Sequence, residues 1–176
     1  MLDSWIKPAD VGIEWGSGRS TVWFAHRSKH VLSIEHYPNW HQRVCGLLKE
    51  SGVGDRVDYR LVPLDIGEYD EPANHPYCDA ADALANGSVD YALVDGMLRM
   101  SCMRVAMRKL KPGGLLILDN ANRFFPNISL GLPATVVVSI PRPLTPAWAD
   151  LQLQLASWRS IFTTDGIWDT RFWIKP

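Results

Sequence analysis

Short apolar runs alternate with helical patterns along this chain as far as Asn120, and that alternation leaves few folds open. "VGIEW" leads into "STVWFAHRS", whose first polar residues suit a helix start. "HVLSIEH" reads as a second strand ending on an acid. The following "PNWHQRVCGLLKESGVG" reads as a helix with Trp40, Val44, Leu47 and Leu48 on one face and Gly52 as its stop. "RVDYRLVPLD" alternates as a third strand, and "SVDYALVDG" is nearly continuous in apolar character, as a strand buried on both faces would be. "RMSCMRVAMRKL" is a basic amphipathic helix closed by "KPGG", and "GLLILDN" is a fifth strand. Strands and helices in this order imply a parallel sheet with right-handed crossovers. Past Asn120 the long "NRFFPNISLGLPATVVVSIPRPLTP" reads as a partly extended connection. A helix from Pro146 through Trp158 and two closing strands follow.

A length of 176 residues suits one domain, 1–176, and the 47% hydrophobic and 21% charged composition suits a soluble globular protein. Net charge is −1, which argues against nucleic acid or an anionic membrane as partner. No apolar stretch approaches a membrane span and no signal-peptide layout opens the chain, so a cytoplasmic location is expected. Cys45, Cys78 and Cys102 are widely spaced and odd in number, and read as buried free thiols. The five histidines form no ligand spacing. The run Arg99, Arg104, Arg108, Lys109 and Lys111 reads as the solvated face of a helix.

In an open parallel sheet, ligands collect at the carboxyl ends of the strands. "VGIEWGSGRST" therefore places Gly16-Ser17-Gly18 at the expected site, where glycines let a ligand approach the backbone. Glu35 ends the second strand, where a carboxylate suits a ribose diol or stands as a solvated strand end. Dinucleotide binding prefers a third glycine three residues after the second, and here that residue is Thr21. Glu14, two residues before Gly16, suits adenosylmethionine better, because an acid beside the loop can meet an ammonium group.

These segments resemble the class I adenosylmethionine-dependent methyltransferases, from "VGIEWGSGRST" through "VLSIEHYPNW", "VDYALVDG" and "LKPGGLLILDN" to "WDTRFWIKP". The resemblance implies a Rossmann-like α/β fold: a doubly wound, mostly parallel seven-stranded sheet with helices on both faces and an antiparallel C-terminal strand. It also implies that Gly16 and Gly18, with Ser17 and Thr21 of the same loop, line the methionine part of the cofactor. Glu35 would hold the ribose with His36 beside it, Asp65 would sit near the adenine, and Asp95 near the ammonium group or the substrate.

"GVGDRV", "ALVDG" and "ILDN" further resemble the metal-dependent O-methyltransferases similar to catechol O-methyltransferase. There the equivalents of Asp95, Asp119 and Asn120 bind a magnesium-type ion, a donor set that suits a hard cation. That subgroup places a lysine base three residues after its first acid, and here the position is Leu98. A divalent metal is therefore not favoured, and Asp119 and Asn120 equally read as a strand end and its cap. Relatives carry helices before the first strand, whereas only "MLDSWIKPAD" precedes it here. Either the site is then open, or the apolar "FFPNISLGLPATVVVSIP" covers it, or a partner chain does, and the segment equally reads as the surface of a homodimer. The expected activity is methyl transfer to a small molecule at oxygen, with Asp95 as the catalytic residue. A non-catalytic cofactor-binding protein and a nicotinamide-dependent oxidoreductase are the alternatives.

Overall fold

A computed structural model describes residues 2–65, 74–125 and 145–176. After a single turn, α1 (Leu2–Trp5), the chain alternates β1 (Val11–Trp15), α2 (Arg19–Arg27), β2 (His30–Glu35), α3 (Pro38–Glu50) and β3 (Val57–Leu61). It continues with α4 (Pro76–Asp79), β4 (Val89–Val94), α5 (Arg99–Lys109), β5 (Leu110–Leu118), α6 (Pro146–Leu155), β6 (Arg159–Thr164) and β7 (Asp169–Ile174). The seven strands form one sheet in the order β3-β2-β1-β4-β5-β7-β6. The pairings β3–β2, β2–β1, β1–β4 and β4–β5 are parallel, and β7 runs antiparallel to both β5 and β6. This is the doubly wound, mostly parallel arrangement that the sequence implies.

The period of two along each strand sorts the core into two layers. From β1, Ile13 and Trp15 face one side with Ile34 and Val94, against Tyr77 of α4, Cys102, Met103 and Ala106 of α5 and Trp148, Leu151 and Leu155 of α6. The opposite side gathers Val31, Tyr91, Leu93 and Ile117 against Phe24 and Ala25 of α2 and Val44 and Leu48 of α3. Helices therefore cover both faces, and β1 and β4, in the middle, carry nearly unbroken burial. Trp15, which closes β1 just before the glycine loop, is fully buried and donates its indole N–H to the carbonyl of Tyr77 at 3.0 Å. Its indole is a core side chain.

Two boundaries differ from the sequence reading. The third strand stops at Leu61, four residues before Asp65: the Val62 N–H makes the last ladder bond, to the carbonyl of Glu35 at 2.7 Å, and Pro63 follows with no N–H to donate. In β5, Val89 pairs with Leu110 but Tyr91 pairs with Leu115, so the Lys-Pro-Gly-Gly stretch loops out of the ladder before the strand resumes. Proline cannot donate to a ladder, which accounts for the interruption. Of the apolar segment after β5, residues 126–144 lie outside the described residues, while Phe124 and Phe125 pack on Trp148 with ring centroids 4.7 and 5.4 Å apart. Among the described residues, no helix is long and apolar enough to cross a membrane.

Candidate functional site

The right-handed parallel topology brings the ends of β2, β1, β4 and β5 together in that order, and each delivers a carboxylate or a polar turn. Backbone hydrogen bonds lock the ends to one another. Gly16 N–H donates to Ile34 (2.9 Å), Asp95 N–H to Trp15 (2.8 Å) and Asp119 N–H to Val94 (3.2 Å).

In the glycine loop the two glycines play different parts. Gly16 has φ +88°, and a Cβ there would lie 2.6 Å from the nitrogen of Gly96 and 2.8 Å from the carbonyl carbon of Asp95. It is required by the turn and by the close approach of the β4 loop. Gly18 is extended, and a Cβ there would meet only the Trp40 ring, at 3.9 Å. Protein packing does not demand a glycine at that position.

Glu14 lies beneath this loop with no exposed surface. Its Oε2 accepts hydrogen bonds from Thr21 Oγ1 (2.5 Å) and Ser33 Oγ (2.8 Å), and Thr21 Oγ1 in turn accepts the Gly18 N–H (2.9 Å). Its Oε1 has no hydrogen-bond partner among the described residues. Burial pushes the carboxyl up to about 7, while the hydroxyls of Ser20, Thr21 and Ser33 restrain the rise.

Glu35, also buried, stands in the opposite electrostatic situation. Oε1 accepts the backbone N–H groups of His36 and Tyr37, each at 2.8 Å, and Oε2 accepts the N–H (3.1 Å) and hydroxyl (2.8 Å) of Ser17. The His36 ring adds Nδ1 at 3.1 Å from Oε1. Burial alone would raise this carboxyl, but the converging donors of His36, Tyr37 and Ser17 outweigh it and hold the group at about 2. Ser17 is itself braced by the Tyr59 hydroxyl (2.6 Å) and by Trp40, whose indole N–H donates to the Ser17 carbonyl at 2.7 Å.

On the far side of the loop, Asp95 borders a cleft of about 420 Å³ shared with Arg19, Ser20, Asp119 and Thr170 and floored by Trp23, Phe24, Leu93 and Ile117. Burial pushes the Asp95 carboxyl up to about 6 against the pull of Arg99, with Asp119 adding to the rise. Asp119 Oδ1 accepts the Thr170 hydroxyl at 2.5 Å.

The structure thus brings Glu14, Gly16, Ser17, Gly18, Thr21, Glu35, His36, Asp95, Asp119 and Asn120 to one edge of the sheet. Asp65 is exposed and lies directly before residues 66–73, which are outside the described residues. The reading of the basic run as a solvated face is corrected at two positions. Arg99 is 7% exposed and Lys109 4%, because Arg99 turns into the strand ends and Lys109 spans to Asp82 and the carbonyl of Leu84. No helical spacing signals Arg99, because Asp95 lies before α5 and the left-handed Leu98 separates them. Tyr59 and Trp40, which hold the loop through Ser17, were also missed, since their partner is distant in sequence.

The donors expected for a metal do not fit one. A single guanidinium nitrogen of Arg99 lies 3.1 Å from Asp95 Oδ1 and 3.4 Å from Asn120 Oδ1. Among the described residues, no group of three or more His, Cys, Asp or Glu is placed to hold a metal ion.

No family model matches the sequence, and no curated protein matches it. Solved structures do match the fold. The O-methyltransferase TomG from Streptomyces achromogenes, involved in tomaymycin synthesis and solved with SAM, aligns with a TM-score of 0.63 at 19% identity over 96% of this chain and 74% of its own. A methyltransferase from Geobacter sulfurreducens aligns with a TM-score of 0.63 at 15% identity, covering 99% and 76%. An rRNA methylase from Streptococcus thermophilus aligns with a TM-score of 0.62 at 10% identity, covering 99% and 91%.

Two outcomes test this geometry. Gly16→Ala meets both a forbidden φ and backbone atoms, so it should unfold or strongly destabilise the protein, whereas Gly18→Ala should melt within about 2 °C of wild type. Equal melting temperatures for the two variants would contradict the assignment.

The raised pKa of Glu14 sets a second outcome. The folded state holds this proton more tightly than the unfolded one, so the group contributes no penalty below about 4.5, and stability falls as pH rises towards about 7. The full loss is on the order of 3 kcal/mol. Glu14→Gln should therefore gain stability relative to wild type between pH 5 and pH 8 in urea denaturation. A difference between the two proteins that does not change with pH would contradict it. The sheet order, its single antiparallel strand and these neighbours agree: the chain has the fold of the class I adenosylmethionine-dependent methyltransferases.

Proposed function

We propose that this protein is an adenosylmethionine-dependent methyltransferase acting on a small-molecule hydroxyl. The observation that carries the reading is the buried Glu35 carboxylate at the end of β2, kept ionised against burial by the donors of His36, Tyr37 and Ser17, the last of them on the glycine loop itself. An ionised acceptor beside a glycine turn is what the two hydroxyls of a ribose require. The five contacts now on Glu35 include two from side chains, Ser17 Oγ and the His36 ring, that can swing aside while the three backbone N–H groups stay. Gly16 and Gly18 would flank the methionine part, with Thr21 supporting the turn. The open space at Gly18 fits a ligand lying against the loop.

The same details argue against a dinucleotide. A pyrophosphate uses free amides at the start of the helix, yet here the Gly18 N–H is already taken by Thr21.

Bound adenosylmethionine would supply an electrophilic methyl group; the protein must orient an acceptor and take its proton. Asp95 suits that task. It stands in the cleft with a partly exposed carboxylate, held near 6, so it is ionised at neutral pH yet basic enough to accept a hydroxyl proton. The cleft's volume of about 420 Å³ and the chain's net charge of −1 favour a small acceptor over a nucleic acid. Asp119, tied to Thr170, lines the same cleft.

Loss of hydrogen bonds to a charged group costs about 1.5–3 kcal/mol. Glu35→Ala should therefore weaken adenosylhomocysteine binding by roughly tenfold or more in calorimetry. In a turnover screen over small hydroxyl compounds, Asp95→Asn should lose adenosylhomocysteine release while retaining cofactor affinity. Unchanged affinity in Glu35→Ala would remove the ribose assignment, and full turnover in Asp95→Asn would remove the base.

A further inference from the structure

At the centre of the strand-end cluster lies a cation that the reaction above does not use. Arg99 opens α5 directly after Leu98, which adopts a left-handed conformation at φ +50° with its side chain buried. A bulky residue held there is strained. The consequence of that turn is direction: the next residue points back over the ends of β4 and β5 instead of out to solvent. Asn120, at φ +47°, makes the matching left-handed turn after β5.

Between these two turns the guanidinium is surrounded by oxygen. Nε donates to the Gly96 carbonyl at 2.9 Å, and one terminal nitrogen donates to the Asp119 carbonyl. The other donates to the Asp95 carbonyl at 2.8 Å, to Asp95 Oδ1 at 3.1 Å and to Asn120 Oδ1 at 3.4 Å. The Phe124 ring lies against the guanidinium, 5.4 Å from centroid to carbon. All three nitrogens are engaged and the residue is 7% exposed. A planar fork of five donors can satisfy such a set in a way that an ammonium cannot.

We propose that Arg99 is the resident cation of this site, a positioning residue that ties the β4 and β5 loops together, aims Asp95 into the cleft and closes the cluster to divalent metal. An ion bridging Asp95 and Asn120 would need the place that the guanidinium nitrogen holds, and it would meet a fixed positive charge there. The inference rests on the cluster's geometry alone, so it stands or falls independently of which cofactor the glycine loop takes.

The test reads metal binding and stability, not turnover. Mn²⁺ is titrated into the protein while its free signal is followed by electron paramagnetic resonance. Wild type should leave the signal unchanged at about equimolar, sub-millimolar concentrations. Arg99→Ala, which vacates the oxygen cage, should take up one equivalent, and Asp95→Asn in that background should abolish the uptake. Arg99→Met, similar in length but uncharged, should melt about 5 °C or more below wild type. Stoichiometric Mn²⁺ uptake by wild type would overturn the proposal. So would a folded Arg99→Ala protein that binds none, or an Arg99→Met protein that melts like wild type. If the truncated variant does not fold, the same titration on Arg99→Met, which lacks the guanidinium, decides the matter: it should take up Mn²⁺ where wild type does not, and no uptake would overturn the proposal.

Discussion

Four carboxylates stand at the ends of adjacent strands: Glu35 on β2, Glu14 on β1, Asp95 after β4 and Asp119 after β5. A parallel sheet gathers them on one edge, where burial opposes the ionisation of Glu14, Glu35 and Asp95 and a neighbouring carboxylate adds to it at Glu14 and Asp95. Each is handled differently. Glu14 is sealed and pushed towards the protonated form; Glu35 is surrounded by N–H and O–H donors and stays charged. Asp95 and Asp119 share the neighbourhood of one guanidinium, with Thr170 taking an oxygen of Asp119. The conformations of the loops follow from these solutions: the left-handed turns at Leu98 and Asn120 bring Arg99 in, and the Gly16 turn brings Ser17 N–H onto Glu35.

The division also separates tasks. A carboxylate held near 2 is an acceptor and a poor base, whereas one near 6 can take a proton at neutral pH. On the proposed function, binding falls to Glu35 at the end of β2 and proton transfer to Asp95 after β4. The glycine loop stands between them, braced from below by Thr21 and Glu14 and from the side by Trp40 and Tyr59.

Much of this was legible in the sequence because it is local. Apolar runs set the strands, the Gly-Ser-Gly turn marked the loop, and Glu35, Asp95 and Asp119 could be placed by their position at strand ends. What was not legible depends on direction and on distant partners. The sequence "MLRMS" gives no sign that Leu98 adopts a left-handed turn, so Arg99 read as solvated when it is buried. The bracing of Ser17 by Tyr59 spans 42 positions, and no period reveals it. At Gly18 the sequence pattern treats both glycines alike, while the backbone separates a turn that needs glycine from an extended residue that does not.

The central claim is that this row of carboxylates is organised around an adenosyl cofactor, and the position of a bound ligand tests it most directly. In a crystal structure with adenosylhomocysteine, both ribose hydroxyls should lie within hydrogen-bond distance of Glu35 and the sulfur should face the cleft beside Asp95. The Arg99 guanidinium should remain between Asp95 and Asn120. A ligand seated away from Glu35, or the absence of any ligand at saturating concentration, would contradict the account.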